Sequence, residues 1–148
     1  MLGNSQSGFL YDKGSESYED TTSTLTFYLM RHMQNNGVGL TARAISTTPY
    51  FATNAKAYGY QCRILTKSSG REYLGLSAYS QIFGSAWVEL VENTWFRLEL
   101  VVEGETLTCS MHEVDSGSQL ATLTATDDGY TSGYNGISVN ADGTSNFE

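Results

Sequence analysis

The segment from Trp95 to Cys109 sets the tightest limit on what this chain can fold into. Phe96, Leu98, Leu100 and Val102 alternate with Trp95, Arg97, Glu99 and Val101. After Glu103-Gly104-Glu105 the alternation resumes through Leu107 and Cys109. Successive side chains of an extended strand point to opposite faces, so the first four residues share one apolar face. On a helix the same positions would scatter around the axis and bury nothing together. Gly104 supplies the positive-φ freedom that a tight hairpin between the two runs requires. A hairpin with one apolar face must cover that face with a second layer, which points to an antiparallel β-sandwich.

The whole chain fits that scheme. Its 148 residues suit a single domain with a sizeable core. One Pro and fifteen Gly fit short strands joined by tight turns. A net charge of −8 repels phosphate and anionic lipid, so neither nucleic acid nor an anionic membrane surface is an expected partner, whereas metal cations would be attracted. No run approaches the ~20 apolar residues that span a bilayer. Met1 to Gly8 carries no basic start and no apolar stretch, so no signal peptide is expected there. Cys62 and Cys109 are too few for a disulfide framework, and each falls on the apolar phase of its strand. Two buried thiols and one inter-sheet bond both remain open, because a bond needs Cα atoms within about 7 Å.

Residues 1–23 are rich in Ser, Gly and acids, and read as an arm or a short edge strand. Strand-like segments follow at residues 24–30, 38–44, 58–65, 72–79, 85–91, 95–103, 106–114, 120–125 and 136–140. Asn35-Asn36-Gly37 and Lys67-Ser68-Ser69-Gly70 mark turns, and the stretch from Ile45 to Lys56 is the longest insertion. These nine segments and the lack of any 3.6-residue apolar period predict an all-β domain over 24–148.

Four pieces carry a family resemblance. They are Gly37-Val38-Gly39-Leu40-Thr41-Ala42-Arg43-Ala44, Tyr58-Gly59-Tyr60-Gln61-Cys62-Arg63-Ile64, Trp95 to Gly104 with Leu107 following, and Asp127-Asp128-Gly129-Tyr130-Thr131-Ser132-Gly133-Tyr134-Asn135-Gly136-Ile137. In order and spacing the set resembles a laminin G-like or concanavalin A-like jelly roll. The resemblance implies a two-sheet antiparallel sandwich in which a strand before residue 24 pairs with the C-terminal strand. It also implies a structural calcium near the joined termini. Asp12, Glu16 and Asp20 on one side and Asp142, Asn146 and Glu148 on the other would supply the oxygens, with Asp12, Asp142 and Glu148 as the chosen ligands.

Catalytic members of that fold place Glu-x-Asp-x-x-Glu on one strand to cleave glycans. The nearest match, Glu113-Val114-Asp115-Ser116-Gly117-Ser118, lacks the third acid and reads as a turn. Glu99 and Glu103 share a strand but flank no third acid. His32 and His112 are the only histidines, and no Gly-x-Ser-x-Gly elbow occurs. His112 follows Cys109 by an odd spacing, which puts the two on opposite faces of a strand. Catalysis is therefore not expected.

Sugar binding suits the residues better. Glycan sites set aromatic faces against the apolar patches of a pyranose and meet its hydroxyls with Arg, Gln and carboxylates. The outward phase of three consecutive strands offers Arg43, Gln61, Arg63, Tyr73 and Tyr79, with Arg97 and Glu99 expected to join from another strand. Pro49-Tyr50-Phe51, Tyr130 and Tyr134 are alternative contacts. The first expectation is a non-catalytic binding or adhesion module for carbohydrate or a surface glycoconjugate. It would be extracellular or displayed on a phage or virus particle. The alternative is a structural or decoration protein that docks on a protein scaffold, or on copies of itself, through the arm and exposed strands. A glycoside hydrolase or polysaccharide lyase comes third.

Overall fold

The computed structural model describes residues 6–11, 18–30, 37–45, 59–66, 72–78 and 81–141. The described residues contain ten strands and no helix: β1 Gln6–Tyr11, β2 Thr21–Leu29, β3 Gly37–Ala44, β4 Tyr60–Thr66, β5 Glu72–Ala78, β6 Gln81–Val88, β7 Thr94–Glu103, β8 Thr106–Glu113, β9 Gln119–Thr126 and β10 Tyr134–Ala141. They form two antiparallel sheets, a six-stranded one in the order β1-β10-β3-β4-β5-β6 and a four-stranded one in the order β2-β7-β8-β9. The chain is an all-β jelly-roll sandwich.

The β7–β8 hairpin follows directly from its sequence. Glu103 pairs with Thr106, which leaves Gly104-Glu105 as a two-residue loop, and Gly104 takes a φ of 55°. Glycine at the first central position matches hairpin twist without steric penalty. Phe96, Leu98, Leu100 and Val102 are all buried. They pack in one core with Leu40, Tyr60, Ile64, Leu74 and Leu76 of the opposite sheet. Burying each such side chain contributes about 1.5–3 kcal/mol, so this double layer supplies most of what holds the sandwich shut.

The structure settles the cysteine question in favour of a bond. Cys62 of β4 and Cys109 of β8 are disulfide-linked across the two sheets, with Cα atoms 5.4 Å apart. Both lie on the buried phase, as the alternation requires.

Gln6–Tyr11 is an edge strand paired along β10, as the resemblance implies for a strand before residue 24. Two elements differ from the sequence expectation. β2 begins at Thr21 rather than 24. β6 spans Gln81–Val88 rather than 85–91, because a register shift after Leu76 lets the chain re-enter the sheet early.

Candidate functional site

The outer face of the six-stranded sheet carries the candidate site. Its rows follow from strand pairing. Leu65, Tyr73 and Trp87 are consecutive across β4, β5 and β6. The next row runs Ser138, Gly39, Arg63, Gly75 and Ser85 from β10 to β6. A third row holds Thr41, Gln61 and Ser77.

Trp87 is 59% exposed, and its ring meets Tyr73 edge-on at 5.9 Å between centroids and 72° between planes. Such a cross-strand aromatic pair holds both rings in place and contributes about 0.5–1.5 kcal/mol beyond area burial. Arg63 is the only charged residue in its row. Glycines flank it on both sides, and they differ. A Cβ on Gly39 would lie 2.6 Å from the Arg63 Cβ and 2.9 Å from the Cys62 carbonyl, so that side is closed. A Cβ on Gly75 would meet nothing nearer than 3.9 Å, so this side leaves room for a small group although Gly75 itself is buried. The aromatic pair borders this side. Arg63 is half-buried, and desolvation lowers its pKa below the ordinary value while the neighbouring Tyr73 acts in the opposite direction. The third row closes the site, since Thr41, Gln61 and Ser77 are buried although they lie on the outward phase.

The expected binding stripe is thus divided. Arg63 and Tyr73 stand together on the Gly75 side. Gln61 lies on the same face but is buried at its closed end. Arg43 departs from the expectation altogether. A bulge against β10 puts it at a φ of 50°, breaks the strand's alternation and re-aims the side chain inward. Its guanidinium donates to the carbonyls of Glu19 and Tyr130, the latter at 2.8 Å, and to the Asp20 carboxylate at 3.3 Å. Arg43 therefore ties the sandwich together and offers nothing to a ligand. Arg97 and Glu99 lie on β7, beside Thr26 and Thr24 of β2, on the outer face of the other sheet. A sandwich thickness of at least ~10 Å separates them from Arg63, so they do not join it. Tyr79 lies outside the described residues.

Trp87 and Gly75 were missed by the sequence reading. Trp87 carried the right signal, an aromatic on the outward phase of a strand, but its contact with Tyr73 depends on strand order and register.

Other candidates are placed as follows. Asp12, Glu16, Asp142, Asn146 and Glu148 lie outside the described residues, as do His32 and Pro49-Tyr50-Phe51. Asp20 accepts hydrogen bonds from Arg43 and from the Gly104 amide at 2.8 Å. Among the described residues no group of three acids, histidines or cysteines is placed to hold a metal ion. Val114 to Ser116 form a turn after β8, closed by a hydrogen bond from the Glu113 amide to the Ser118 carbonyl. Tyr130 packs edge-on against Tyr60 at 5.3 Å and its amide donates to the Tyr60 hydroxyl, so it caps the sandwich end. Tyr134 pairs with Ala44 at the start of β10. Burial, with a smaller contribution from the Asp127 carboxylate, pushes the Tyr60 hydroxyl up to about 12. A second exposed pair, Tyr28 and Trp95 at 5.2 Å, sits on the outer face of the four-stranded sheet with no cation beside it in its own row.

No family profile matches the chain, and no curated protein does. Solved structures do. The chain is similar to a carbohydrate-binding module, CBM66, from Bacillus subtilis, with a TM-score of 0.63 and 14% identity over 93% of this chain and 76% of that one. It is similar to a legume lectin-like domain from Entamoeba histolytica, with a TM-score of 0.67 and 12% identity over 95% of this chain and 74% of that one. It is also similar to the enzymatically active domain of tailspike protein 2 of bacteriophage CBA120, with a TM-score of 0.60 and 10% identity over 90% of this chain but 22% of that one. At these identities the likeness shows the fold: a lectin-like β-sandwich jelly roll.

Proposed function

We propose that this chain is a non-catalytic carbohydrate-binding module, and that saccharide binds over Gly75 against Trp87 and Tyr73 with Arg63 at its edge. The observation that carries this is the Trp87–Tyr73 pair, with the indole exposed, beside Arg63 and a glycine whose outer side has room for a small group. A flat ring on an exposed indole buries the apolar face of a pyranose, and that room lets its hydroxyls meet Arg63 and Ser85. The fold shared with a carbohydrate-binding module and a lectin-like domain supports the same conclusion. The outward positions of the open rows, Leu65, Tyr73 and Trp87 above and Ser138 to Ser85 below, include no carboxylate, which favours binding over hydrolysis.

Placement outside the cell or on a virion surface accords with a disulfide-linked core and with the likeness to a tailspike domain. The laminin G-like variant of the fold rests on the four sequence pieces described above.

The test is a glycan array followed by calorimetric titration of the strongest hits. Wild type should bind at least one saccharide class, and Trp87→Ala should lose that signal with its melting temperature retained. An array without signal, or equal binding by Trp87→Ala, would refute the assignment.

A further inference from the structure

The chain buries one guanidinium group, Arg43, half-buries a second, Arg63, on the neighbouring strand, and treats them differently. Arg43 is saturated by two carbonyls and the Asp20 carboxylate. Arg63, one strand away, makes no hydrogen bond or ion pair among the described residues. Tyr73 acts on its charge, and the described outward positions around it are glycine, serine, threonine, glutamine, leucine and aromatic, none of them acidic. No Arg63 nitrogen is a buried atom without a partner, so the guanidinium of this half-buried side chain keeps water that a ligand's carboxylate can displace. A fold that satisfies one arginine so fully has the means to satisfy the other. That contrast marks Arg63 as the group that a ligand's negative charge would meet.

We infer that the saccharide this module takes is acidic, carrying a carboxylate that pairs with Arg63 over Gly75 while its ring packs on Trp87. The inference rests on the carbohydrate-binding proposal and adds the ligand's charge. A carboxylate is the matching partner, since the planar guanidinium fork accepts it with two parallel hydrogen bonds. The chain's net charge of −8 opposes an acid at long range. That opposition is screened beyond about 8 Å at physiological salt, whereas the contact at Arg63 is not.

The experiment titrates four purified proteins with matched ligand pairs: oligogalacturonate against its carboxyl-reduced form, and sialyllactose against lactose. The proteins are wild type, Arg63→Gln, Arg63→Lys and Trp87→Ala. Wild type should bind one acidic ligand about 10- to 100-fold more tightly than its neutral counterpart. Arg63→Gln should erase that preference, Arg63→Lys should keep part of it, and Trp87→Ala should lose both members of the pair. Without ligand, Arg63→Gln should melt at or above the wild-type temperature, since no described residue holds the guanidinium by a hydrogen bond or ion pair. Equal affinity for acid and neutral sugar, unchanged in Arg63→Gln, overturns the charge inference and leaves the carbohydrate site standing. Failure of every saccharide, acidic or neutral, overturns both. A marked drop in the melting temperature of Arg63→Gln would show that the guanidinium is a structural tie like Arg43, and would also overturn the inference.

Discussion

Replacing both Cys62 and Cys109 with alanine should cost about 4 kcal/mol of stability. The bond closes a loop of 47 residues between strands of different sheets. Cross-linking removes chain entropy from the unfolded state, and for a loop of this length the loop-closure relation gives about 13–14 cal/mol/K, or about 4 kcal/mol at 25 °C. At ~2.1 cal/mol/K of unfolding entropy per residue, a chain of 148 residues should lose about 13 °C in melting temperature. Differential scanning calorimetry of wild type, Cys62→Ala/Cys109→Ala and reduced wild type measures this. The reduced protein and the double variant should melt within about 3 °C of each other, because the cross-link and not the sulfur atoms carries the effect. Urea unfolding should show a larger m-value for both, since the uncrosslinked chain exposes more surface. A shift below about 3 °C, or free thiols titrating in native protein under non-reducing conditions, would refute the reasoning.

The two glycines beside Arg63 should respond oppositely to an added side chain. Gly75→Val fills open space and should leave the melting temperature level or slightly higher, while it blocks the proposed site and weakens saccharide binding by more than about 10-fold. Gly39→Ala forces contacts of 2.6 Å and 2.8 Å on Arg63 and Ser138 and should destabilise by about 1–3 kcal/mol, read by thermal melting. Tyr60 gives a pH signature. Its folded pKa of about 12 lies above the ordinary value of 10, so its neutral form stabilises the fold fully below pH 10, and that stability is lost as pH rises through 12. The gap in melting temperature between wild type and Tyr60→Phe should therefore shrink between pH 10 and 12, and a constant gap would contradict the assignment.

Local pattern explains what could be read in advance. The burial of Phe96, Leu98, Leu100 and Val102, and the turn at Gly104, depend on residues a few positions apart, so the sequence displays them openly. The site depends on relations that no short window contains. Arg97 and Glu99 have the right outward phase, yet strand order sends β7 to the other sheet. Arg43 also has the right phase until one residue of bulge turns it over, and that bulge is fixed by pairing with a strand some ninety positions later. Trp87 and Tyr73 become neighbours only once the β5–β6 register is set. Cys62 and Cys109 are 47 residues apart in sequence, and their pairing needed the sheets to be stacked first.

Cys62 and Arg63 are consecutive residues, so the covalent rivet sits directly beneath the cation of the proposed site. A pull applied by a glycan bound at the proposed site would enter at β4 and pass through the Cys62–Cys109 bond into β8. One sheet cannot then be peeled from the other without breaking a covalent bond. The strand under the proposed site is also stiffened in advance, so a sugar bound there would give up its own freedom and little of the protein's. A module fastened in this way is suited to holding on under load.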